Sequence, residues 1–271
     1  MITGFSRSTI YYDLLLMVIL FNVNLRAQNT ALDFDGSNDY INITDNASLT
    51  STNAVTISAW FKKLSSSNWM SLVGKGTTDA NEEYVLMVKD DQVYFDVGQG
   101  GGPYLQQSTT ISVGVWHHIA AIHNRSGSTS TLKVYLNGKD GGGSTVGASN
   151  SPNDNSHPLT IGSRFSTSNA PFQGQIDEVR IWSEARSQAE IKANMHTELS
   201  GTESNLVAYY NFNEGTGTTI TDHSSNSNNG TMTNMASDDW VSKALFSQNY
   251  ALDLDGSNDY VQITDDNALD I

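Results

Sequence analysis

Polar and apolar residues alternate with a period of two through much of the chain, as half-buried β-strands require. The segment 54–61 (AVTISAWF) shows the pattern most clearly. Seven further segments rich in β-branched and aromatic residues follow it, at 84–88, 92–97, 116–122, 132–136, 159–162, 175–182 and 206–212. Asn137-Gly138 predicts a type I′ hairpin, because both residues tolerate positive φ angles. We therefore predict an all-β fold, a two-sheet antiparallel sandwich.

One short helix interrupts the strand pattern. Ser187 and Glu190 have the spacing of a capping box, which predicts a helix near 187–196. Ile191 and Met195 lie four residues apart on one face of that helix, so we expect the face to cover an edge or end of the sandwich. The segments 98–108 and 139–158 are rich in Gly, Ser and Asn, and we expect them to be long loops without strands. Loops of that length are often functional.

The two ends of the chain carry separate signals. An eight-residue apolar run at 14–21, followed by Leu25-Arg26-Ala27, predicts a secretory signal peptide over residues 1–27. The alternative is a short, uncleaved membrane anchor, since eight residues are too few to span a bilayer. Residues 251–269 repeat residues 31–49 with 13 identities in 19 positions. This repeat predicts one domain over 28–250 and the start of a second, truncated one at 251–271. The alternative is that 251–271 adds a strand to the first domain.

Composition narrows the possible partners and cofactors. The 271 residues include 29 Asp and Glu against 14 Lys and Arg, which gives a net charge of −15. So acidic a chain lacks the basic face that nucleic-acid binding needs. It has no cysteine, which excludes disulfides, thiolate metal sites and thiol nucleophiles. No apolar segment is long enough to predict a transmembrane span.

Several motifs resemble those of LamG-like jelly-roll domains in secreted bacterial proteins, within the concanavalin A-like lectin/glucanase superfamily. They are ALDFDGSNDY (31–40), WHHIA (116–120), VYLNGK (134–139), GQIDEVRIW (174–182) and LVAYYNFNEGTGTTITDHS (206–224). The resemblance covers nearly all of 31–235 with the motifs in matching order. It implies a two-sheet jelly roll, frequently a calcium ion, and often carbohydrate or protein binding outside the cell or on its surface.

Calcium is the cofactor that the acidic residues favour. Strand alternation sends Phe34 inward and places Asp35 outward, and Asp39 follows after a glycine turn, which suits an oxygen-ligand cage for Ca²⁺. The resemblance adds Asp177, because related folds use an Asp on the corresponding late strand. The alternative is that Asp35 and Asp39 only cap backbone N–H groups in a turn.

No catalytic residue is assigned. Hydrolases of this fold carry a Glu-x-Asp-x-Glu strand, which is absent from this sequence, as are the serine-hydrolase, zinc-protease and nucleotide-binding motifs. His117 and His118 are neighbours that point to opposite faces of a strand, and we expect one to be packed and the other solvated.

Aromatic side chains near loops are the remaining candidates for ligand binding. Trp69, Tyr104, Phe165 and Trp240 lie in or beside predicted loops and are the candidate sugar-binding residues, whereas the other tryptophans lie in strand patterns and are expected in the core. The sequence therefore favours a non-catalytic binding or adhesion module for carbohydrate or an extracellular protein. A glycoside hydrolase or lyase of the same fold, and a structural spacer in a tandem array, are the alternatives.

Overall fold

Two antiparallel sheets, with apolar side chains packed between them, form the computed structural model, which describes residues 30–50, 53–66, 68–76, 82–98, 104–108, 110–147, 156–165 and 169–242. The predicted signal peptide at 1–27 and the repeat at 251–271 lie outside these residues. The predicted all-β sandwich is confirmed. Within the described part of the chain, no helix has the length and apolar character needed to cross a membrane.

The described strands run in chain order as follows: β1 Thr30–Asp35, β2 Tyr40–Ile43, β3 Ala54–Lys63, β4 Met70–Lys75, β5 Tyr84–Lys89, β6 Gln92–Val97, β7 Tyr104–Ser108, β8 His117–Ser126, β9 Thr129–Leu136, β10 Lys139–Gly147, β11 Leu159–Ile161, β12 Gln173–Trp182, β13 Leu206–Tyr210, β14 Thr219–Ile220, β15 Gly230–Thr233 and β16 Trp240–Ser242. Sheet 1 has the order β10-β9-β8-β3-β12-β1-β16, and β13 also pairs with β12. Sheet 2 has the order β14-β15-β2-β11-β4-β5-β6-β7. This connectivity brings β11, late in the chain, between the early strands β2 and β4.

Strand alternation determines which side chains enter the core. On β3, Ile57, Ala59 and Phe61 point between the sheets and are fully buried. On β5, Tyr84 and Leu86 do the same. The intervening residues of sheet 2 lie on its outer face, and several of these are also covered, so a second packing surface exists outside the core.

The helix α1 (Gln188–Asn194) forms as predicted. Ser187 accepts a hydrogen bond from the Glu190 N–H, and the Glu190 carboxylate accepts one from the Ser187 N–H at 2.7 Å, which completes the capping box. Ile191 packs on Ala120 and Ile122, on the outer face of sheet 1. The helix thus covers a face of that sheet.

The hairpin between β9 and β10 has the predicted geometry, but its second strand was not predicted. Asn137 and Gly138 have φ of 52° and 71°, as a type I′ turn requires. The expectation that 98–108 and 139–158 hold no strand is wrong, because β7 and β10 lie in them. Both are polar strands near the free edges of their sheets, where few positions need apolar side chains, so the hydrophobic pattern is weak.

Sheet 1 buries its histidines. His117 and His118 are 6% and 2% exposed, so the expectation that one is solvated is wrong. The His118 ring packs 5.4 Å from the Trp60 ring. Burial, together with the neighbouring Arg180 guanidinium and His196, lowers the pKa of His118 to about 3. Burial likewise lowers the pKa of His123 to about 4.

Mild acid is therefore expected to destabilise the domain. The unfolded histidines bind protons near pH 6.5 but the folded ones only near pH 3 to 4, so the stabilisation is complete above pH 6.5 and decreases as the pH falls below it. For His118, the expected loss between pH 6.5 and 5 is on the order of 2 kcal/mol. Asp39 acts in the opposite sense, because burial raises its pKa to about 6 and the folded carboxyl then takes up its proton first.

Urea unfolding at pH 7 and pH 5 measures this loss. In a His118→Gln variant the difference between the two pH values should shrink, because the titrating group is gone. His223, an exposed histidine, offers the matched control, and His223→Gln should retain the wild-type difference. Equal pH dependence in wild type and His118→Gln would contradict the assignment to His118.

Candidate ligand-binding site

The outer face of sheet 2 carries a mixed apolar and polar surface on β5 and β6. Val93, Phe95 and Val97 of β6 face the core, so Tyr94 and Asp96 face outward. The register places Met87 beside Tyr94 and Val85 beside Asp96. Val85, Met87 and Tyr94 form an apolar cluster of their own, and Ala170 packs against it.

A wall beside this surface is formed by residues 162–165 and 169–172, between β11 and β12. The Ser71 N–H on β4 donates to the Ala170 carbonyl at 2.9 Å, which fixes the segment to the sheet. The Ser163 hydroxyl lies within hydrogen-bond distance of the Phe165 and Asn169 carbonyls, at 2.7 and 3.1 Å. Gly74 permits the close approach, because a Cβ atom there would lie 2.4 Å from the Arg164 carbonyl oxygen. Backbone contacts and the Ser163 hydroxyl therefore fix the position of the wall.

Surface and wall enclose a cavity of about 400 Å³. Its lining consists of Trp69, Met87, Tyr94, Asp96, Arg164, Asn169 and Ala170. The Trp69 side chain precedes β4 and is 41% exposed. Its ring contacts the Tyr94 ring, with centroids 4.3 Å apart and planes inclined by 59°. The Lys89 ammonium lies 5.0 Å from the centroid of the Trp69 ring.

Planar polar groups complete the lining. Arg164 donates through Nη2 to Oε2 of Glu82 at 2.6 Å, and Glu82 is buried. The guanidinium also lies 5.1 Å from the centroid of the Phe165 ring. Asn169 contributes an amide, with both donor and acceptor atoms, and Asp96 a carboxylate. The cavity thus offers an aromatic ring beside hydrogen-bonding groups of both kinds, which suits a small ligand with one apolar face and many hydroxyl groups.

The tyrosine of this cavity is held by one amide on its own strand and one on β7. The Tyr94 hydroxyl donates to the Gln92 side-chain oxygen, and Gln106 on β7 donates to the same oxygen at 2.7 Å. In the register between β6 and β7, Gln92 pairs with Ser108 and Gln106 pairs with Tyr94. The Tyr94 ring therefore has a fixed orientation beside Trp69.

Of the four aromatic residues predicted to bind a ligand, the structure places Trp69 in the cavity. Tyr104 begins β7 and pairs with Asp96 in the strand register. Phe165 is 2% exposed, so the expectation that it presents a ring at a loop surface is wrong; it supports Arg164 instead. Trp240 lies in β16, where it packs against the core and donates through Nε1 to the Gly217 carbonyl at 3.1 Å, so it is not a loop residue.

Sequence reasoning missed most of the lining. Tyr94, Asp96 and Met87 were treated only as members of predicted strands, and Arg164 was not considered. A usable signal existed on β6, where the positions that alternate with the apolar core residues carry Gln92, Tyr94 and Asp96. An aromatic residue between polar ones on the non-core face of a strand is typical of a binding surface.

The three carboxylates predicted to hold calcium do not come together. Asp35 accepts from the Ser37 N–H at 2.7 Å, and its own N–H donates to Asp39 at 2.9 Å, which is the turn-capping alternative. Asp35 pairs with Gln173, four residues before Asp177 on β12, so Asp177 lies about 13 Å further along the strand. Among the residues that the structure describes, no three His, Asp or Glu side chains form a group that could hold a metal. Including Asp177 in this site was wrong.

Calcium binding near Asp35 and Asp39 stays a prediction. The expected result is a higher melting temperature when millimolar Ca²⁺ is added after EDTA treatment, with the gain removed in Asp35→Ala. At a calcium concentration 100 times Kd the gain would be about 2.7 kcal/mol. An unchanged melting temperature in the wild-type chain would contradict it.

Comparison with known proteins places this architecture in a family. The family model described as the concanavalin A-like lectin/glucanase superfamily matches residues 35–192. A proposed carbohydrate-binding protein from Bacteroides ovatus superposes with a TM-score of 0.59 at 24% identity, over 75% of this chain and 58% of that one. The CBM40 domain of the Ruminococcus gnavus IT-sialidase gives 0.50 at 16% identity, over 60% and 95%.

A more distant likeness is to domains LG4-5 of the mouse laminin α1 chain, with a TM-score of 0.42 at 20% identity over 58% of this chain and 44% of that one. No curated protein matches the chain. The alignment covers 58% of the Bacteroides ovatus protein, so this chain spans less than two thirds of that protein's length. The family match covers more than half of the present chain and the fold is a jelly-roll sandwich, so the chain belongs to the laminin G-like domains of the concanavalin A-like lectin/glucanase superfamily.

Proposed function

We propose that this chain is an exported carbohydrate-binding module that binds sugar in the cavity on sheet 2 without cleaving it. The observation that carries the proposal is the exposed Trp69 ring beside Arg164, Asn169 and Asp96 in one cavity. A pyranose ring has a flat C–H face that packs on an aromatic ring, while its hydroxyls need donors and acceptors around the edge. The cavity volume, about 400 Å³, is in the usual range for small-molecule sites.

Two further observations support the proposal. The Bacteroides ovatus protein and the CBM40 domain, which share the fold, carry carbohydrate-binding descriptions. The apolar run at 14–21 has the features of a signal peptide, which suits a module that meets polysaccharide outside the cell. The proposal includes a binding role on the cell surface, such as adhesion.

Hydrolysis has less support from this cavity. Glycosidases generally use two carboxyl groups, about 5–5.5 Å apart in retaining enzymes and further apart in inverting ones. Among the described lining residues Asp96 is the one carboxylate, and the nearby Glu82 is in an ion pair with Arg164. A catalytic pair would have to be built elsewhere, so binding is the function that this geometry favours.

Affinity electrophoresis of the full chain tests the proposal directly. Native gels cast with single polysaccharides should retard the protein for at least one of them, and bovine serum albumin serves as the non-binding control. Incubation with the retarding polysaccharide should release no reducing ends. Unchanged mobility in every gel would contradict carbohydrate binding and leave a protein-binding or spacer role, whereas released reducing ends would establish the hydrolase.

A further inference from the structure

The charges around the cavity on sheet 2 balance one another, and this indicates the class of sugar that it binds. Resting on the proposed function, we infer that the ligand is an uncharged glycan rather than one built from uronic or sialic acids. The inference depends on three features: the pairing of Arg164, the charges beside Trp69, and the charge of the chain as a whole.

Arg164 presents N–H donors but little net charge. Its Nη2 atom lies 2.6 Å from Oε2 of Glu82, and the Glu82 side chain is 2% exposed. A carboxylate buried to this extent keeps a cation beside it, because leaving it unpaired out of water is costly. The positive charge of Arg164 is thus balanced from behind, and the guanidinium acts toward the cavity mainly as a hydrogen-bond donor.

The remaining nearby charges do not favour an anion either. Asp96 brings a carboxylate to the lining itself. The Lys89 ammonium lies over Trp69, where it is the one further cation that the described residues place at that ring. With Arg164 and Lys89 set against Glu82 and Asp96, no excess positive charge faces a ligand.

An acidic sugar would therefore bind poorly. Its carboxylate would lose hydration on entering the cavity without gaining an uncommitted cation, and it would approach a chain of net charge −15. A neutral sugar loses only hydrogen bonds that Arg164, Asn169 and Asp96 can replace. The balance of charges thus selects against anionic glycans as well as permitting neutral ones.

The test compares neutral and acidic polysaccharides on the full chain. Laminarin, β-mannan and xyloglucan are the neutral probes, and alginate and polygalacturonate are the acidic ones, each at 50 and 500 mM NaCl. We expect binding to at least one neutral probe, changed less than about twofold by salt, and none to the acidic probes. Salt-sensitive binding to an acidic probe alone would overturn the inference while the proposed function stands. Failure to bind any of these five polysaccharides, or any other glycan, would overturn both the inference and the proposed function.

A variant that lacks the Glu82 charge gives a second test of the inference. Glu82→Gln keeps an oxygen for Arg164 but removes the balancing charge, so binding to alginate, absent in the wild-type chain, should become detectable at 50 mM NaCl and disappear at 500 mM. The control is Glu184→Gln, because Glu184 also pairs with an arginine. Its Oε1 lies 2.8 Å from Nη1 of Arg186, its side chain is 34% exposed, and neither residue lines the cavity. An equal increase in both variants, or none in a folded Glu82→Gln, would contradict the role of the Arg164 pair. The wild-type comparison decides the inference if Glu82→Gln does not fold.

Discussion

Replacing Trp69 by alanine is expected to weaken sugar binding about 5- to 150-fold and to leave the fold intact. Stacking of a nucleobase on an aromatic side chain contributes about 1–3 kcal/mol. We expect the C–H face of a sugar to gain a similar amount on Trp69, and an alanine has no such surface. Because the Trp69 side chain is 41% exposed, its removal opens no core cavity. The melting temperature should therefore change by only a few degrees. Affinity electrophoresis with the retarding polysaccharide, together with thermal unfolding, measures both effects.

A matched control is available elsewhere in the chain. Trp116 precedes β8 and is partly exposed, so the expectation that it lies in the core is wrong. Like Trp69 it has a lysine near its ring, with the Lys62 ammonium 5.6 Å from the ring centroid. It lies outside the cavity, so Trp116→Ala should retain wild-type mobility shifts. Trp69→Phe, which keeps a smaller ring, should recover part of the binding. Equal losses for Trp69→Ala and Trp116→Ala would show that the sugar binds elsewhere.

The fold was predictable for the strands whose sequences show a clear period-two pattern. The strands β3 and β12 lie at the centre of sheet 1 and are rich in β-branched and aromatic residues, so their pattern is strong. The strands β7 and β10 lie near sheet edges and are polar, so they resemble loops in sequence. The helix α1 was predictable because its capping box is local. Predictions that rest on a strong local pattern therefore succeeded. Predictions for the polar strands at the sheet edges, where the pattern is weak, failed.

The site was much less predictable, because it depends on contacts between distant parts of the chain. Trp69 and Asn169 are a hundred residues apart. Both line the cavity because β11 inserts beside β4 and carries residues 162–165 and 169–172 onto the outer face of sheet 2. Nothing in the neighbourhood of Phe165 indicates that this ring is buried under Arg164. Similarly, the separation of Asp35 and Asp177 follows from the register between β1 and β12, which the sequence does not show.

Asp222 illustrates a motif residue whose purpose became clear only from the structure. It lies in the TDHS end of a motif that carries the family resemblance, and it is 4% exposed. One carboxylate oxygen accepts from the Tyr209 and Ser224 N–H groups at 2.9 and 2.8 Å. The other accepts from the Asn228 N–H and the Ser224 hydroxyl, both at 2.8 Å. A single side chain therefore connects β13 to the segment 222–228.

Asp222→Ala is accordingly expected to destabilise the domain by about 3–5 kcal/mol, the largest effect on stability predicted for this chain. Three buried backbone N–H groups would lose their acceptor at once, and each unsatisfied group costs about 1–3 kcal/mol, with partial relaxation. The Ser224 hydroxyl would still have the Val207 carbonyl as an acceptor, at 2.9 Å. Asp222→Asn, which retains one acceptor oxygen, should cost less. Urea unfolding at pH 7 measures the difference, and Asp238→Ala, at an exposed aspartate, should change stability by less than about 0.5 kcal/mol.

Sugar binding separates this effect from that of Trp69. Asp222 does not line the cavity on sheet 2, so Asp222→Ala should bind sugar with wild-type affinity at temperatures below its own melting transition. Trp69→Ala should show the reverse, normal stability with weak binding. A loss below about 1 kcal/mol in Asp222→Ala would contradict the prediction, because it would mean that water reaches the donors and replaces the carboxylate. If both variants instead lost stability and binding together, the cavity would depend on the whole sandwich rather than on the side chains that line it.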